Sequence, residues 1–80
     1  MEILVLSFGI AKEITGNASD VYSVPYNSTV GDLRKMITDK YPQMLQLKSL
    51  AIAVNGSYVN DNTALNANDE IALLPPVSGG

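Results

Sequence analysis

Eighty residues with five basic and eight acidic side chains carry a formal charge of −3, with 46% hydrophobic residues and no Cys, His or Trp. Disulfides, thiolate metal sites, iron–sulfur clusters and a cysteine nucleophile are thereby excluded, and the commonest general base and metal ligand is missing. The acidic balance repels phosphate backbones and anionic lipid, so neither nucleic acid nor a membrane is an expected partner. A chain of this size buries only roughly 60% of its unfolded surface, which leaves room for one core. No apolar run approaches the ~20 residues that cross a bilayer, and Met1-Glu2 does not resemble a basic signal-peptide start, so a cytoplasmic location is expected.

In chain order, the Ile-, Leu- and Val-rich run from Glu2 to Phe8, bounded by Gly9, reads as a strand. Its apolar residues do not alternate cleanly, which predicts at least partial cover on both faces. Ala11–Thr15 reads as a short helical turn stopped by Gly16, and Val21–Val24 as a strand ended by Pro25. Thr29 or Ser28 then caps a helix in which Val30, Leu33, Ile37 and Tyr41 recur at spacings of three and four, with Pro42 stopping it. Residues 44–50 follow no clear period. Leu50–Val54 reads as a buried strand, Asn55-Gly56 as a tight hairpin turn, Ser57–Val59 as the return strand and Glu70–Leu74 as the last strand.

This order predicts an α+β fold, a β-grasp (ubiquitin-like) roll with a mixed four- to five-stranded sheet over one main helix, the first and last strands adjacent at its centre. Residues 1–74 form the domain and 75–80 a flexible tail ending in Gly-Gly.

Chemistry within the domain is scarce. Asp61, Asp69 and Glu70 lie in or beside turns, where solvated turn-formers are expected, and Lys35 and Lys40 read as a solvated helix face. No metal-ligand spacing or phosphate-binding loop occurs. The unusual element is Pro75-Pro76-Val77-Ser78-Gly79-Gly80. The two prolines lack donors and hold the chain extended as it leaves the sheet, and the small residues after them suit a narrow channel. Such a tail delivers the α-carboxylate of Gly80. A carboxylate is a poor electrophile until it is adenylated, after which sulfur yields a thiocarboxylate and an amine yields a conjugate.

Ser7–Gly16, Ala53-Val-Asn55 and Asn68–Gly80 together resemble the small subunit of molybdopterin synthase, a ubiquitin-like sulfur carrier family of molybdenum-cofactor biosynthesis. The resemblance implies that a ubiquitin-activating-like adenylyltransferase uses ATP to adenylate Gly80 and that a sulfurtransferase system converts it to a thiocarboxylate. Pro75–Gly79 then enter the large synthase subunit, within a heterotetramer, where the sulfur passes to cyclic pyranopterin monophosphate to build the molybdopterin dithiolene. The catalytic side chains would belong to the large subunit, leaving this chain a non-catalytic small subunit with no permanently bound cofactor and no metal. Phe8, Lys12, Tyr58 and Leu74 fall at positions resembling that family's docking face. Competing readings are the sulfur carrier of thiamine biosynthesis, a ubiquitin-like protein modifier and a plain interaction module.

Overall fold

Residues 1–47 and 50–75 are described by a computed structural model. The two most apolar runs, Glu2–Ser7 (β1) and Glu70–Leu74 (β5), pair in parallel near the middle of a five-stranded sheet, in register Val5 with Ile71 and Ser7 with Leu73. Strand β2 (Ser19–Ser23) pairs antiparallel with β1 on one side, while β3 (Ala51–Val54) and β4 (Ser57–Tyr58) continue antiparallel beyond β5. The order is therefore β2-β1-β5-β3-β4. A parallel pair needs a crossover, and helix α2 (Val30–Lys40) lies within it.

Burial alternates in β1, with Ile3, Val5 and Ser7 inward and Glu2 and Leu4 exposed. Strand β1 is fully covered on its inner face and only in part on its outer face, within the partial cover expected of both. Its unbroken apolar run arises because Leu4 and Leu6 point away from the core onto the outer face of the sheet, where Leu4 is 37% exposed and Leu6 half-buried. Strand β5 behaves alike, burying Ile71 and Leu73 and turning Ala72 and Leu74 outward.

Helix α2 is the principal cover of the inner face, with Ala11 of the first helix and Met44 joining the same cluster, and its start is well specified. The Thr29 side chain accepts from the Asp32 backbone N–H at 3.2 Å, and Asp32 Oδ2 accepts from the Thr29 backbone at 2.9 Å, a complete capping box in which Asp replaces the usual Glu. Val30, Leu33 and Ile37 are buried against Ile3, Val5, Ile52, Ile71 and Leu73 in a single cluster. Helix α2 ends at Lys40, and Pro42, whose missing N–H costs nothing at a helix start, opens a 3-10 turn, Pro42–Gln46, that buries Met44. That turn lies partly within the stretch the sequence left unassigned.

The first helix, α1 (Gly9–Thr15), begins two residues before the expected Ala11 and stops at Gly16, whose φ of 78° is the left-handed conformation expected of that glycine. Asn55 and Gly56, at φ 51° and 87°, make the tight β3–β4 turn, which needs positive φ at both positions. The return strand stops at Tyr58, one residue short of expectation.

Two carboxylates are more than turn-formers. Asp61 binds Arg34 Nε at 3.1 Å, and Arg34 also donates to the Leu50 carbonyl at 2.8 Å, tying two loops to α2. Asp69 is 8% exposed, and its two oxygens accept from Asn55 Nδ2 at 2.9 Å and from the Asn66 backbone at 2.8 Å. No buried side-chain polar atom among the described residues lacks a partner. Lys35 matches its expected exposed place, bridging to Asp39 at 3.0 Å, but Lys40 holds its ammonium 5.6 Å and 5.4 Å from the ring centroids of Tyr22 and Tyr41.

Two measurements check this packing. Leu33→Ala, at a fully buried position on α2, should cost about 2–5 kcal/mol in urea denaturation, whereas truncation of a surface residue costs far less. Burial, with the neighbouring Tyr41 and Asp20 adding to it, pushes the Tyr22 phenol from 10.0 up to about 12. Because the unfolded chain loses that proton first, the stability linked to neutral Tyr22 is complete below pH 10 and is lost as the pH rises towards 12. Ultraviolet titration should show one tyrosinate step delayed to about pH 12, and urea denaturation should show stability falling as the pH rises from 10 towards that step.

Candidate functional site

The outer face of the sheet is the surface that α2 leaves bare. Strand register fixes what it displays. Tyr58 pairs with Ala53, Ala53 with Ala72, Ala72 with Leu6 and Leu6 with Ser19, so one row crosses all five strands and ends on the polar Ser19 of β2. A second row sets Val21 beside Leu4 and Leu4 beside Glu70. Val21 is 64% exposed and Tyr58 75% exposed, whereas Ala53 is buried without joining the core cluster on the other side. An apolar face with Leu4, Val21 and Tyr58 open to water around half-buried Leu6 and Ala72 has the composition of an interaction surface rather than of a solvated face.

The expected docking residues fall on or beside this face. Leu74 continues outward from Ala72 and pairs with Ala51, half-buried. Phe8 extends β1 by one residue beyond the Ser7–Leu73 pair, with extended backbone at φ −125° and ψ 154°, and is 47% exposed. This register brings Phe8 beside Leu74 at the end of the central pair. Lys12, exposed on α1, lines a shallow hollow with Leu6, Ser7, Phe8, Gly9, Ala18 and Ser19. Tyr58 is separated from Leu74 by β3, two strand spacings or roughly 10 Å across the sheet.

Charge is distributed unevenly over the face. Lys12 stands near its Phe8 end, while exposed Glu2 and Glu70 occupy the opposite end of the β1–β5 pair. A partner that matched the face would therefore meet an apolar strip running from a basic end to an acidic one, a pattern that fixes orientation more than it adds affinity.

Sequence reasoning missed Leu4, Leu6, Val21, Ala53 and Ala72 as members of this face. A signal existed for two of them: Leu4 and Leu6 are the residues that spoil the alternation of β1. Ala53 and Ala72 carry no such signal, since small apolar residues in a central strand read as core until the register is known.

Pro75 is half-buried where the chain leaves β5, and a Cβ placed on Gly9 would lie 3.3 Å from its ring. The strand that ends at Leu74 thus leaves the sheet at the Phe8 corner. Pro76, Val77, Ser78, Gly79 and Gly80, which carry the expected tail chemistry, lie outside the described residues. Among the described residues no group of three carboxylates could hold a metal ion, and no helix is long and apolar enough to cross a membrane.

Comparison with known proteins adds the family. Residues 5–80 match the model of the ThiS family. The molybdopterin synthase sulfur carrier subunit of Arabidopsis thaliana is 33% identical over 81 residues, covering 100% of this chain and 84% of that protein. Among solved structures, small archaeal modifier protein 1 of Haloferax volcanii superposes with a TM-score of 0.88 at 26% identity, covering both chains completely. A chain from the complex of subunits 1 and 2 of the molybdopterin-converting factor of Helicobacter pylori matches with a TM-score of 0.72 and 32% identity, again over the whole of both chains. The sheet order, the principal helix and these matches agree on the ubiquitin-like β-grasp fold. On the strength of the family match and the full-length relatives, this chain belongs to the ThiS family of ubiquitin-like proteins, alongside the molybdopterin synthase sulfur carrier subunits.

Proposed function

We propose that this protein is the sulfur carrier subunit of a molybdopterin synthase. The observation that carries the reading is the bare apolar face of the sheet, bordered at its Phe8 end by the point where β5 leaves towards Pro75. A docking surface beside an exiting tail lets a partner grip the domain and receive the tail in the same encounter. The likeness to one chain of a two-subunit converting factor supports a large subunit as that partner.

In this reading the chain supplies an acyl group and its partners supply the catalysis. The Gly80 carboxylate attacks the α-phosphorus of ATP on an adenylyltransferase, forming an acyl-adenylate and releasing pyrophosphate. A sulfurtransferase persulfide then displaces AMP to form an acyl disulfide, and a thiol reductant cleaves its S–S bond, leaving the thiocarboxylate on Gly80 and a disulfide on the donor side. The thiocarboxylate sulfur is a soft nucleophile on a tether of small residues, suited to transfer onto cyclic pyranopterin monophosphate inside the large subunit. Phe8, Tyr58 and Leu74 make the apolar contact, Lys12 a charge at its edge, and Pro75–Gly79 the lead into the partner.

A second reading is favoured by the likeness to small archaeal modifier protein 1: the same acyl-adenylate is passed to a lysine amine and the chain becomes a protein modifier. The two differ in the nucleophile that captures the tail. The sulfur carrier of thiamine biosynthesis differs instead in the acceptor of the sulfur.

Reconstitution with ATP, a sulfur donor, the adenylating enzyme and the large subunit should convert the cyclic pterin precursor into a dithiolene product, and deletion of Gly80 should abolish it without changing thermal stability. Absence of product from the complete mixture would reject the pathway. Phe8→Asp, at an exposed position, should shift stability by no more than about 0.5 kcal/mol while weakening association with the large subunit at least about tenfold, as read by calorimetry. Undiminished binding would remove Phe8 from the docking face.

A further inference from the structure

Of the asparagines in the chain, only Asn55 is followed by glycine. In such a pair the backbone nitrogen of the second residue has no side chain shielding it, and it can attack the asparagine carboxamide. Asn55 and Gly56 are both exposed, so solvent reaches the turn freely. Yet this carboxamide is held at both ends. Its Oδ1 accepts from the Glu70 backbone N–H at 2.9 Å, and its Nδ2 donates to Asp69 Oδ1 at 2.9 Å. Asp69 is itself buried and fixed by the Asn66 backbone, while the Asn55 backbone donates to the Glu70 carbonyl at 2.8 Å. Asn17, by contrast, makes two side-chain donor contacts of 3.4 Å and precedes alanine. The pair with the greatest intrinsic reactivity is the one the fold holds most firmly.

We propose that the Asn55–Gly56 turn is a covalent modification site, deamidating only when the β3–β4 hairpin opens and held in check by its hydrogen bonds to Asp69 and Glu70. The Gly56 nitrogen forms a bond to Asn55 Cγ, the Cγ–Nδ2 bond breaks, and Nδ2 leaves as ammonia with the proton that Gly56 gives up. Solvent water then opens the cyclic imide at either carbonyl, giving aspartate or isoaspartate; no oxidant or reductant takes part. Aspartate at this position loses the donor to Asp69 and sets two carboxylates face to face. Isoaspartate in addition lengthens the main chain within a two-residue turn, which upsets the register it sets. Both products weaken the tie between the turn and the start of β5, aspartate at the Asp69 contact and isoaspartate along the main chain as well, so the modification marks a chain whose hairpin has opened and hinders its closing again.

Peptide mass spectrometry after incubation at neutral pH tests this by following the NH2-to-OH mass gain on the peptide containing Asn55. Folded protein should deamidate there at least about tenfold more slowly than the same chain unfolded in guanidinium, because the carboxamide must first give up a bond to a charged acceptor. In the unfolded chain Asn55 should react before every other asparagine. Equal rates in folded and unfolded protein, or another asparagine reacting first when unfolded, would overturn the proposal. Folded Asp69→Ala should deamidate at Asn55 about tenfold faster than folded wild type, with the two chains alike in guanidinium; a folded variant with the wild-type rate would overturn the role given to Asp69. Should that variant not fold, the wild-type comparison still decides.

Discussion

The parallel pairing of β1 with β5 is the constraint on which the rest of the molecule depends. It joins the first and last strands of the described chain at the centre of the sheet, and every other strand is added outward from that pair. Parallel strands require a long connection, and here the connection supplies α2 and so the cover for one face. Ile3, Val5, Ile71 and Leu73 pack in one cluster with the buried residues of α2, so the pairing and the core rest on the same side chains.

The same constraint creates the candidate site. A sheet with one principal helix has one open face, and pleating requires Leu4, Leu6, Ala72 and Leu74 to lie on it once Ile3, Val5, Ile71 and Leu73 are buried. Exposed apolar residues on that face lie outside the core cluster, so substitutions there are expected to change association more than stability. The parallel direction also determines where the chain leaves: β5 runs the same way as β1, so Leu74 and Pro75 emerge at the Phe8 end rather than beside Glu2. At the other end, Asn55, Asp69 and Glu70 lock the β3–β4 turn to the start of β5.

How much of this was legible in the sequence varies with how local the signal is. The capping box, the apolar spacing of α2, the stop at Gly16 and the Asn55-Gly56 turn are set by neighbours in the chain, and each lies where the sequence places it. Glu70–Leu74 matches its expected bounds, and β1 and β5 are neighbours as their shared apolar character implies. What the sequence obscured depends on pairing. The direction in which Leu4 and Leu6 point, the burial of Asp69, and the row that joins Tyr58 to Leu6 through two alanines all require the register of strands far apart in the chain. Phe8, Lys12, Tyr58 and Leu74 were named from a family likeness, and the geometry adds the small residues between them.

The domain has no cysteine and no histidine to carry out sulfur or proton chemistry of its own, so its proposed part is to present a carboxylate and be recognised. The chemical state of Gly80 is therefore what decides its role. Purification of the protein from its own cells together with its native partner, followed by intact-mass analysis, reads that state. A population in which one terminal oxygen is replaced by sulfur, copurifying with a larger subunit, is expected; a chain found only as an isopeptide conjugate on the lysines of other proteins, with no sulfur-bearing form, would overturn the sulfur-carrier role.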